Sequence, residues 1–373
     1  MQPTQQPHSQ YRPQLDSLRA IAVLAVLVHH YYPGSEFLGL GYYGVRLFFV
    51  LSGFLITGIL LDSRYRSEQA GQGKKVAFYQ FYARRMLRIL PVYYCALFLT
   101  WLAGNPDVLS GAWWYATYTS NLLFMTLGFF PLTTAHLWSL SVEAHFYLFW
   151  PCVIFFVSKQ YIHWSILLTI LAGPAYRLFS IVESHDHVEF YTSTLSSIDS
   201  LGWGALLAWL IHTNRGMPVL QNTGRRIFLF LPIMTPLLMN ERYFYVVDTT
   251  LLSIAFVWLV EGAAKGFRRP VGALMNWKPL LYIGQISYGI YLYHLFIPWV
   301  LYEFGGFSQP AHVLINTLLL MTSTILLASL SWHFFERPVM SLKKYFSPSG
   351  AIPAHKEPHS TPRDQEFRFS AKH

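Results

Sequence analysis

Long apolar stretches separated by short polar segments recur along almost the whole chain. A helix that crosses a bilayer needs about 20 mostly apolar residues, because the hydrocarbon layer is roughly 30 Å thick and each residue rises about 1.5 Å. Seven stretches fit clearly, at 18–31, 43–61, 88–103, 140–158, 162–181, 280–301 and 312–334, and three weaker ones lie at 198–212, 227–240 and 248–260. The pattern predicts an all-α, polytopic transmembrane bundle of about ten spans.

The direction of the spans follows from the positions of Lys and Arg, because cytoplasmic loops carry the excess of positive charge. With the N-terminus in the cytoplasm, all but three of the 27 Lys and Arg residues fall on the cytoplasmic side, the exceptions being Arg46, Arg177 and Arg242. This distribution predicts cytoplasmic N- and C-termini. The stretch 111–130 is then expected to be an outer or re-entrant segment, since an eleventh span there would move the basic residues of the following loops to the outer side of the membrane.

Composition narrows the class of protein further. Hydrophobic residues make up 53% of the chain and charged residues only 12%, against about 25% charged in soluble domains. Two cysteines and the apolar content exclude a disulfide scaffold and a disordered chain. The net charge of +9 is spread over alternate loops, which indicates membrane topology rather than nucleic-acid binding. We predict a cytoplasmic segment at 1–14, a membrane domain at 15–346 and a disordered cytoplasmic tail at 347–373.

Ionisable residues inside the spans are candidates for function, because burying them in lipid is costly. Arg19 and His30 lie eleven residues apart in the first span, which separates them by about 16 Å along a helix. His30 is therefore expected in the outer half of the membrane. The alternative is that His30 is only an amphipathic residue at the outer interface.

Two arginines stand on one helical face in the string FYARRMLRILP, at Arg85 and Arg88. Guanidinium groups spaced in this way can grip phosphate oxygens in pairs. The competing interpretation is an ordinary basic cytoplasmic loop.

Further polar residues occur in two later spans. Glu143 lies at the predicted outer entrance of its span and needs a partner, for which Arg177 is a candidate; a purely structural ion pair is the alternative. In ISYGIYLYH, the residues Ser287, Tyr291 and His294 recur at helical spacing and predict a polar stripe in the bundle interior. Packing is the simpler explanation for such a stripe.

Common metal and nucleophile motifs are missing from the sequence. It contains no HExxH, CxxC, G-x-S-x-G or GxGxxG pattern. Cys95 and Cys152 stand singly in two spans, where they are expected to act as small core residues. We therefore expect no metal site.

Six strings, taken together and in order, resemble the acyltransferase-3 family of integral-membrane acyltransferases. The resemblance runs from about residue 15 to residue 344 and rests on LDSLRAIAVLAVLVHH, GVRLFFVLSGFLITGIL, FYARRMLRILP, HLWSLSVEAHFYLFWP, ISYGIYLYH and FFERP. It identifies the membrane domain at 15–346 as an acyltransferase domain and implies a multi-pass protein of the bacterial cytoplasmic membrane.

The activity implied by the resemblance is acyl transfer to sugar hydroxyls, most often of acetyl from cytosolic acetyl-CoA. The acceptors implied are glycans or glycolipids such as O-antigen, exopolysaccharide, peptidoglycan and lipo-chitooligosaccharide nodulation factors, or macrolides. We expect neither a metal nor a nucleic acid to take part.

The family's sequence elements can be carried over by position. Its basic-x10-His element falls on Arg19 and His30, its Arg-x-x-Arg element on Arg85 and Arg88, and its WSLxxE element ends at Glu143. The resemblance thus implies that Arg85 and Arg88 bind coenzyme A. It makes His30 the general base or acyl carrier, with Arg19 holding the donor and Glu143 orienting the acceptor or pairing with Arg177.

Two positions depart from the family pattern. Arg46 occupies a site where Asp is frequent, and Ser197 stands where Arg is often seen. Both are expected on the outer side, where the acceptor would bind.

Two other classes of function are compatible with a polytopic membrane protein. A transporter or flippase of a lipid-linked sugar would also place polar groups at mid-membrane, but such folds commonly show repeated halves, and the sequence shows no internal repeat. An inert scaffold of a polysaccharide-export complex would have no need for buried ionisable groups.

Overall fold

The computed structural model describes residues 11–35, 38–71, 73–183, 187–215, 222–228, 244–306 and 312–346. Within these ranges the chain forms helices and no strands. The N-terminal half contains α1 (Pro13–Tyr31), α2 (Leu40–Gln69), α3 (Lys74–Leu102), α4 (Pro106–Ser110), α5 (Ala112–Ala116), α6 (Ser120–Leu127), α7 (Leu137–Phe156) and α8 (Ile162–Val182). The C-terminal half contains α9 (His187–Thr192), α10 (Thr194–His212), α11 (Phe244–Lys265), α12 (Val271–Met275), α13 (Lys278–Gln285), α14 (Ser287–Tyr293), α15 (Phe296–Glu303), α16 (Val313–Ser331) and α17 (Arg337–Ser341).

Seven helices in the described ranges are long and apolar enough to cross a membrane. They are α2, α3, α7, α8 with its preceding turn, α10 with the end of α9, α11, and α16 with the segment that continues it to Phe346. The predicted all-α, multi-pass class is confirmed. The predicted span at 227–240 lies almost wholly outside the described residues, as do residues 1–10 and the tail at 347–373.

The stretch predicted as an outer or re-entrant segment folds into short helices. These helices, α4, α5 and α6, have 5, 5 and 8 residues, which is far less than a span requires. Asn105 caps the first of them, because its side chain accepts a hydrogen bond from the Val108 backbone amide. The structure therefore agrees that no eleventh span is formed here.

One helix begins much earlier than the apolar pattern predicts. The sequence places the start of the third span at residue 88, but α3 begins at Lys74, almost four turns before that residue. Hydropathy marks only the part of a helix that is apolar enough for lipid, and the polar turns before it escape detection. As a consequence, Arg85 and Arg88 lie inside one continuous helix rather than in a loop.

The predicted ninth span is broken into three helices, α13, α14 and α15. At the second break, the His294 ring bonds to the carbonyl oxygen of Tyr291 over 2.6 Å. The Tyr31 hydroxyl donates to the carbonyl oxygen of His294 over 2.5 Å. Both carbonyls find partners in side chains, so the helix can end in the bundle interior without leaving these groups unpaired.

The centre of the bundle is the crossing of α2 and α10, where glycines allow close approach. A Cβ atom on Gly53 would lie 2.0 Å from the carbonyl oxygen of Leu201, and one on Gly204 would lie 2.1 Å from that of Val50. Small residues at such crossings let two backbones pack directly against each other in a membrane. This crossing fixes the position of α2, which forms one wall of the site described below.

Candidate active site

A cavity of about 690 Å³ opens between α1, α2, α3, α7 and the α13–α14 break. Its charged lining residues are Arg12, Asp16, Arg19, Arg85, Arg88 and Glu143, and its polar lining residues include Ser52, Ser139, Tyr147, Ser287, Tyr288 and Tyr291. Four of the candidate residues from the sequence, on three separate helices, therefore face one space. The formal charge of the lining is +2.

Three arginines that line this cavity are not paired with a carboxylate of the residues that the structure describes. Arg19, Arg85 and Arg88 form no ion pair within the described part of the chain. The guanidinium carbon of Arg85 lies 4.1 Å from the centroid of the Tyr147 ring, and its Nε has no hydrogen-bond partner among the described residues. Guanidinium groups held in this way are available to an anionic ligand.

Glu143 belongs to the same cavity, and the pairing with Arg177 suggested by the sequence is not formed. The Ser52 hydroxyl donates to Oε1 of Glu143 over 2.6 Å, and the Tyr147 hydroxyl donates to Oε2 over 3.0 Å. Since Tyr147 also carries the guanidinium of Arg85 on its ring, Glu143 is linked to the arginine side of the cavity.

Arg177 instead pairs with Asp199, and both side chains are fully buried. The two guanidinium Nη atoms donate to the two carboxylate oxygens over 3.1 and 2.7 Å, which is a bidentate arrangement. A Cβ atom on Gly173 would lie 2.6 Å from Cγ of Asp199, so this glycine makes room for the carboxylate. The sequence could not choose between the two carboxylates, because that choice depends on how α8 and α10 pack.

His30 does not line the cavity but lies just beyond its far end. Its ring centroid is 5.0 Å from that of His294, which in turn lies 4.8 Å from that of His136. We call His30, His136 and His294 the histidine cluster. Tyr291 connects the cluster to the cavity, since it lines the cavity and its ring centroid lies 5.3 Å from that of His294.

The members of the histidine cluster differ in exposure. His136 and His294 are buried, at 3% and 0% exposure, whereas His30 in the last turn of α1 is exposed. His30 is thus the member of the cluster that is open to the surface of the bundle.

The sequence analysis did not predict four of these residues as site residues. The histidine His136 and the cavity residues Ser52 and Tyr147 were not identified at all, and His294 was identified only as part of a polar stripe. That stripe is found, since Ser287 and Tyr291 line the cavity and His294 is buried beside it. His136 stands two residues before the WSLSVE string, which is the feature that could have drawn attention to it.

The described residues include no group of three or more His, Cys, Asp or Glu side chains placed to hold a metal ion. The histidine cluster is not among such groups.

Comparison with known proteins decides the family. A family model described as an acyltransferase domain matches residues 12–333, which is most of the chain. The chain belongs to the acyltransferase-3 family. The matched residues include the whole cavity lining except Tyr11 and Met340.

Curated relatives are similar over most of this chain. The O-acetyltransferase OatA of Staphylococcus aureus is 27% identical over 93% of the chain. The peptidoglycan O-acetyltransferase OatA of Listeria monocytogenes is 28% identical over 88% of the chain. The alignments cover only 60% and 56% of these two relatives, so the chain spans less than two thirds of their length. No solved structure matches the chain.

Proposed function

We propose that this chain is a membrane O-acyltransferase that transfers acetyl from acetyl-CoA to a sugar hydroxyl of a cell-surface or secreted glycan. One observation carries the proposal. A cavity with three arginines outside any described ion pair leads, through Tyr291 and His294, to the exposed imidazole of His30. In this proposal the arginine end faces the cytoplasm, where the donor is made, and the chain resides in the bacterial cytoplasmic membrane.

The cavity suits coenzyme A in charge and in size. The volume of about 690 Å³ lies within the range of roughly 300 to 1,000 Å³ typical of small-molecule sites. In this proposal Arg85 and Arg88 bind the phosphate groups of the donor; both line the cavity, as does Arg19 on α1. Glu143 holds Tyr147, and Tyr147 in turn supports the guanidinium of Arg85.

His30 is the candidate base for the transfer. A neutral imidazole can take the proton from a sugar hydroxyl while the hydroxyl oxygen attacks the thioester carbonyl. The same nitrogen could instead carry the acyl group and pass it on. Either route places the reaction at the exposed end of the site, away from the arginines.

The relatives guide the choice of acceptor. The Listeria relative is named for peptidoglycan, so peptidoglycan is the acceptor to test first. O-antigen, exopolysaccharide and nodulation-factor oligosaccharides come next.

The first test is donor binding by the full-length protein in lipid nanodiscs. We expect acetyl-CoA to raise the melting temperature, because a ligand that binds only the folded state stabilises it. Arg88→Gln should abolish this shift. Arg84→Gln is the matched control, since Arg84 stands on the same helix but bonds to the carbonyl oxygen of Phe346 and does not line the cavity. Equal shifts in both variants would contradict a donor site at Arg88.

The second test is mass spectrometry of the cell-wall and secreted glycans of a strain that lacks the gene. Complementation with the native gene should restore the mass of one acetyl group on the acceptor. Complementation with His30→Ala, at equal membrane abundance, should not. Unchanged glycans in every strain would favour the transporter or flippase hypothesis, for which donor binding would also be absent.

A further inference from the structure

The tautomers of the two buried histidines are fixed by their backbone partners. His294 Nδ1 lies 2.6 Å from the carbonyl oxygen of Tyr291, and His136 Nε2 lies 2.9 Å from that of Leu292. A carbonyl oxygen only accepts hydrogen bonds, so both of these nitrogens carry a proton. In a neutral imidazole the other ring nitrogen then presents a lone pair.

Those lone pairs have no partner. His294 Nε2 and His136 Nδ1 are buried and make no hydrogen bond within the described residues. Most buried polar groups in proteins are paired, so an orphaned acceptor calls for an explanation. Here two such acceptors lie in the cluster that contains the candidate base His30.

His294 is also held firmly in relation to His30. The Tyr31 hydroxyl, one residue after His30 on α1, donates to the carbonyl oxygen of His294 over 2.5 Å. The same hydroxyl lies 2.7 Å from Oγ1 of Thr324 on α16. Three helices are thus tied together at this point, and the rings of His30 and His294 are kept 5.0 Å apart.

We propose that His294 is a positioning residue for His30. The exposed His30 ring is tilted by 47° from the His294 ring in this structure, and a turn of the His30 ring lets the unpaired Nε2 of His294 accept the N–H of the His30 imidazole. This inference rests on the proposed function, since it gives His30 the tautomer that a base needs. One ring nitrogen of His30 is held protonated against His294, and the other nitrogen keeps its lone pair for the acceptor.

The transfer breaks two bonds and forms two at the reacting centre. The sugar O–H bond breaks, and its proton goes to the free nitrogen of His30. The oxygen forms a bond to the acyl carbon of the thioester, and the carbon–sulfur bond breaks. The thiolate that leaves takes the proton from His30, which restores the neutral imidazole. His294 holds the second nitrogen throughout and undergoes no net change.

The test measures the reactivity of His30 itself, without donor or acceptor. Diethyl pyrocarbonate modifies neutral imidazole nitrogens, and the rate at His30 can be followed by peptide mass spectrometry of the full-length protein in nanodiscs. A hydrogen bond from the His30 N–H to His294 makes the free nitrogen more nucleophilic. Loss of this hydrogen bond should slow the modification of His30 about fivefold, a rate factor that corresponds to the net free energy of one ordinary hydrogen bond.

Two variants of similar size separate the proposed contact from general damage. His294→Asn keeps a donor for the Tyr291 carbonyl oxygen but has no atom at the Nε2 position, so we expect slow modification of His30. His294→Gln places an amide oxygen near that position and should restore the rate. His312, which is exposed at the start of α16, serves as the internal reference in each digest.

The outcomes are distinct. Slow modification in His294→Asn with recovery in His294→Gln supports the proposal. A rate that is unchanged or raised in His294→Asn overturns it, because a merely opened structure would speed access to His30. If the pairing is found but neither variant nor wild type transfers acetyl, the proposed function fails while the positioning contact stands. If transfer occurs, His294→Asn should lower kcat and leave the KM for acetyl-CoA unchanged.

Discussion

Arg46 and Ser197, the two residues that depart from the family pattern, are in direct contact. Nη1 of Arg46 on α2 donates to the Ser197 hydroxyl on α10 over 2.7 Å, and both side chains are buried. In the family pattern that the sequence resembles, Asp is frequent at the first position and Arg at the second. In this chain the positive charge of the contact lies on α2, at Arg46.

A buried carboxylate near Arg46 compensates its positive charge. Asp248 on α11 is buried and lies within electrostatic reach of both Arg46 and Arg177. Together with Asp199, these residues form a buried group of two arginines and two aspartates whose net formal charge is zero. Arg46 also lies over the ring of Tyr42, with its guanidinium carbon 5.1 Å from the ring centroid.

Either single substitution at this contact, Arg46→Asp or Ser197→Arg, should destabilise the protein more than the two substitutions together. Arg46→Asp leaves three buried aspartates facing one arginine, and we expect it to cost about 3 to 5 kcal/mol. Ser197→Arg adds an unmatched buried charge and should cost a similar amount. The double variant forms an ion pair across α2 and α10 and should recover part of the loss. Thermal unfolding in detergent measures the coupling, and additive effects would contradict the pairing.

The Arg177–Asp199 pair should be indispensable for folding. Asp199→Asn leaves a fully buried guanidinium without its counter-ion, and the expected loss is about 3 to 5 kcal/mol. The control is Lys265→Gln, which removes the exposed partner of the Glu261–Lys265 pair and should cost no more than about 1 kcal/mol. Thermal stability and membrane abundance of the two variants should differ clearly, and equal values would show that the buried pair is dispensable.

Close packing of α2 and α10 should make Gly204 intolerant of a side chain. A methyl group there would lie 2.1 Å from the carbonyl oxygen of Val50 and 2.7 Å from the backbone nitrogen of Phe54, so the helices must separate. We expect Gly204→Ala to lower stability by at least about 1 to 3 kcal/mol. Gly73→Ala is the control, because nothing lies within 4 Å of its added Cβ. Similar melting temperatures for the two variants would contradict the close crossing.

A substitution of Glu143 tests whether its carboxylate contributes to binding of the acyl donor. Its carboxylate lies in the arginine cavity and repels an anionic donor, so Glu143→Gln should bind acetyl-CoA at least as tightly as the wild type. Arg88→Gln should lose binding in the same titration. Weaker donor binding in Glu143→Gln would instead show that the support it gives to Arg85, through Tyr147, outweighs the repulsion.

The sequence by itself determined the class of fold and four of the six charged residues that line the cavity. Long apolar segments admit few structures in a bilayer, because backbone groups in lipid must be satisfied within a helix or a closed barrel. Ionisable residues in such segments are conspicuous for the same energetic reason. Arg19, Arg85, Arg88 and Glu143 stood out on these grounds and on the family resemblance, and the structure brings them to one cavity.

Partners across the bundle were decided only by the tertiary structure. Glu143 bonds to Ser52 and Tyr147, whereas Arg177 takes Asp199, and nothing local in either helix distinguishes these choices. Helical periodicity gives the face on which a residue lies, but the neighbour that meets this face depends on how helices far apart in sequence cross. The approach of His294 to His30, which are 264 positions apart in the chain, depends on such a crossing and on the break between α14 and α15.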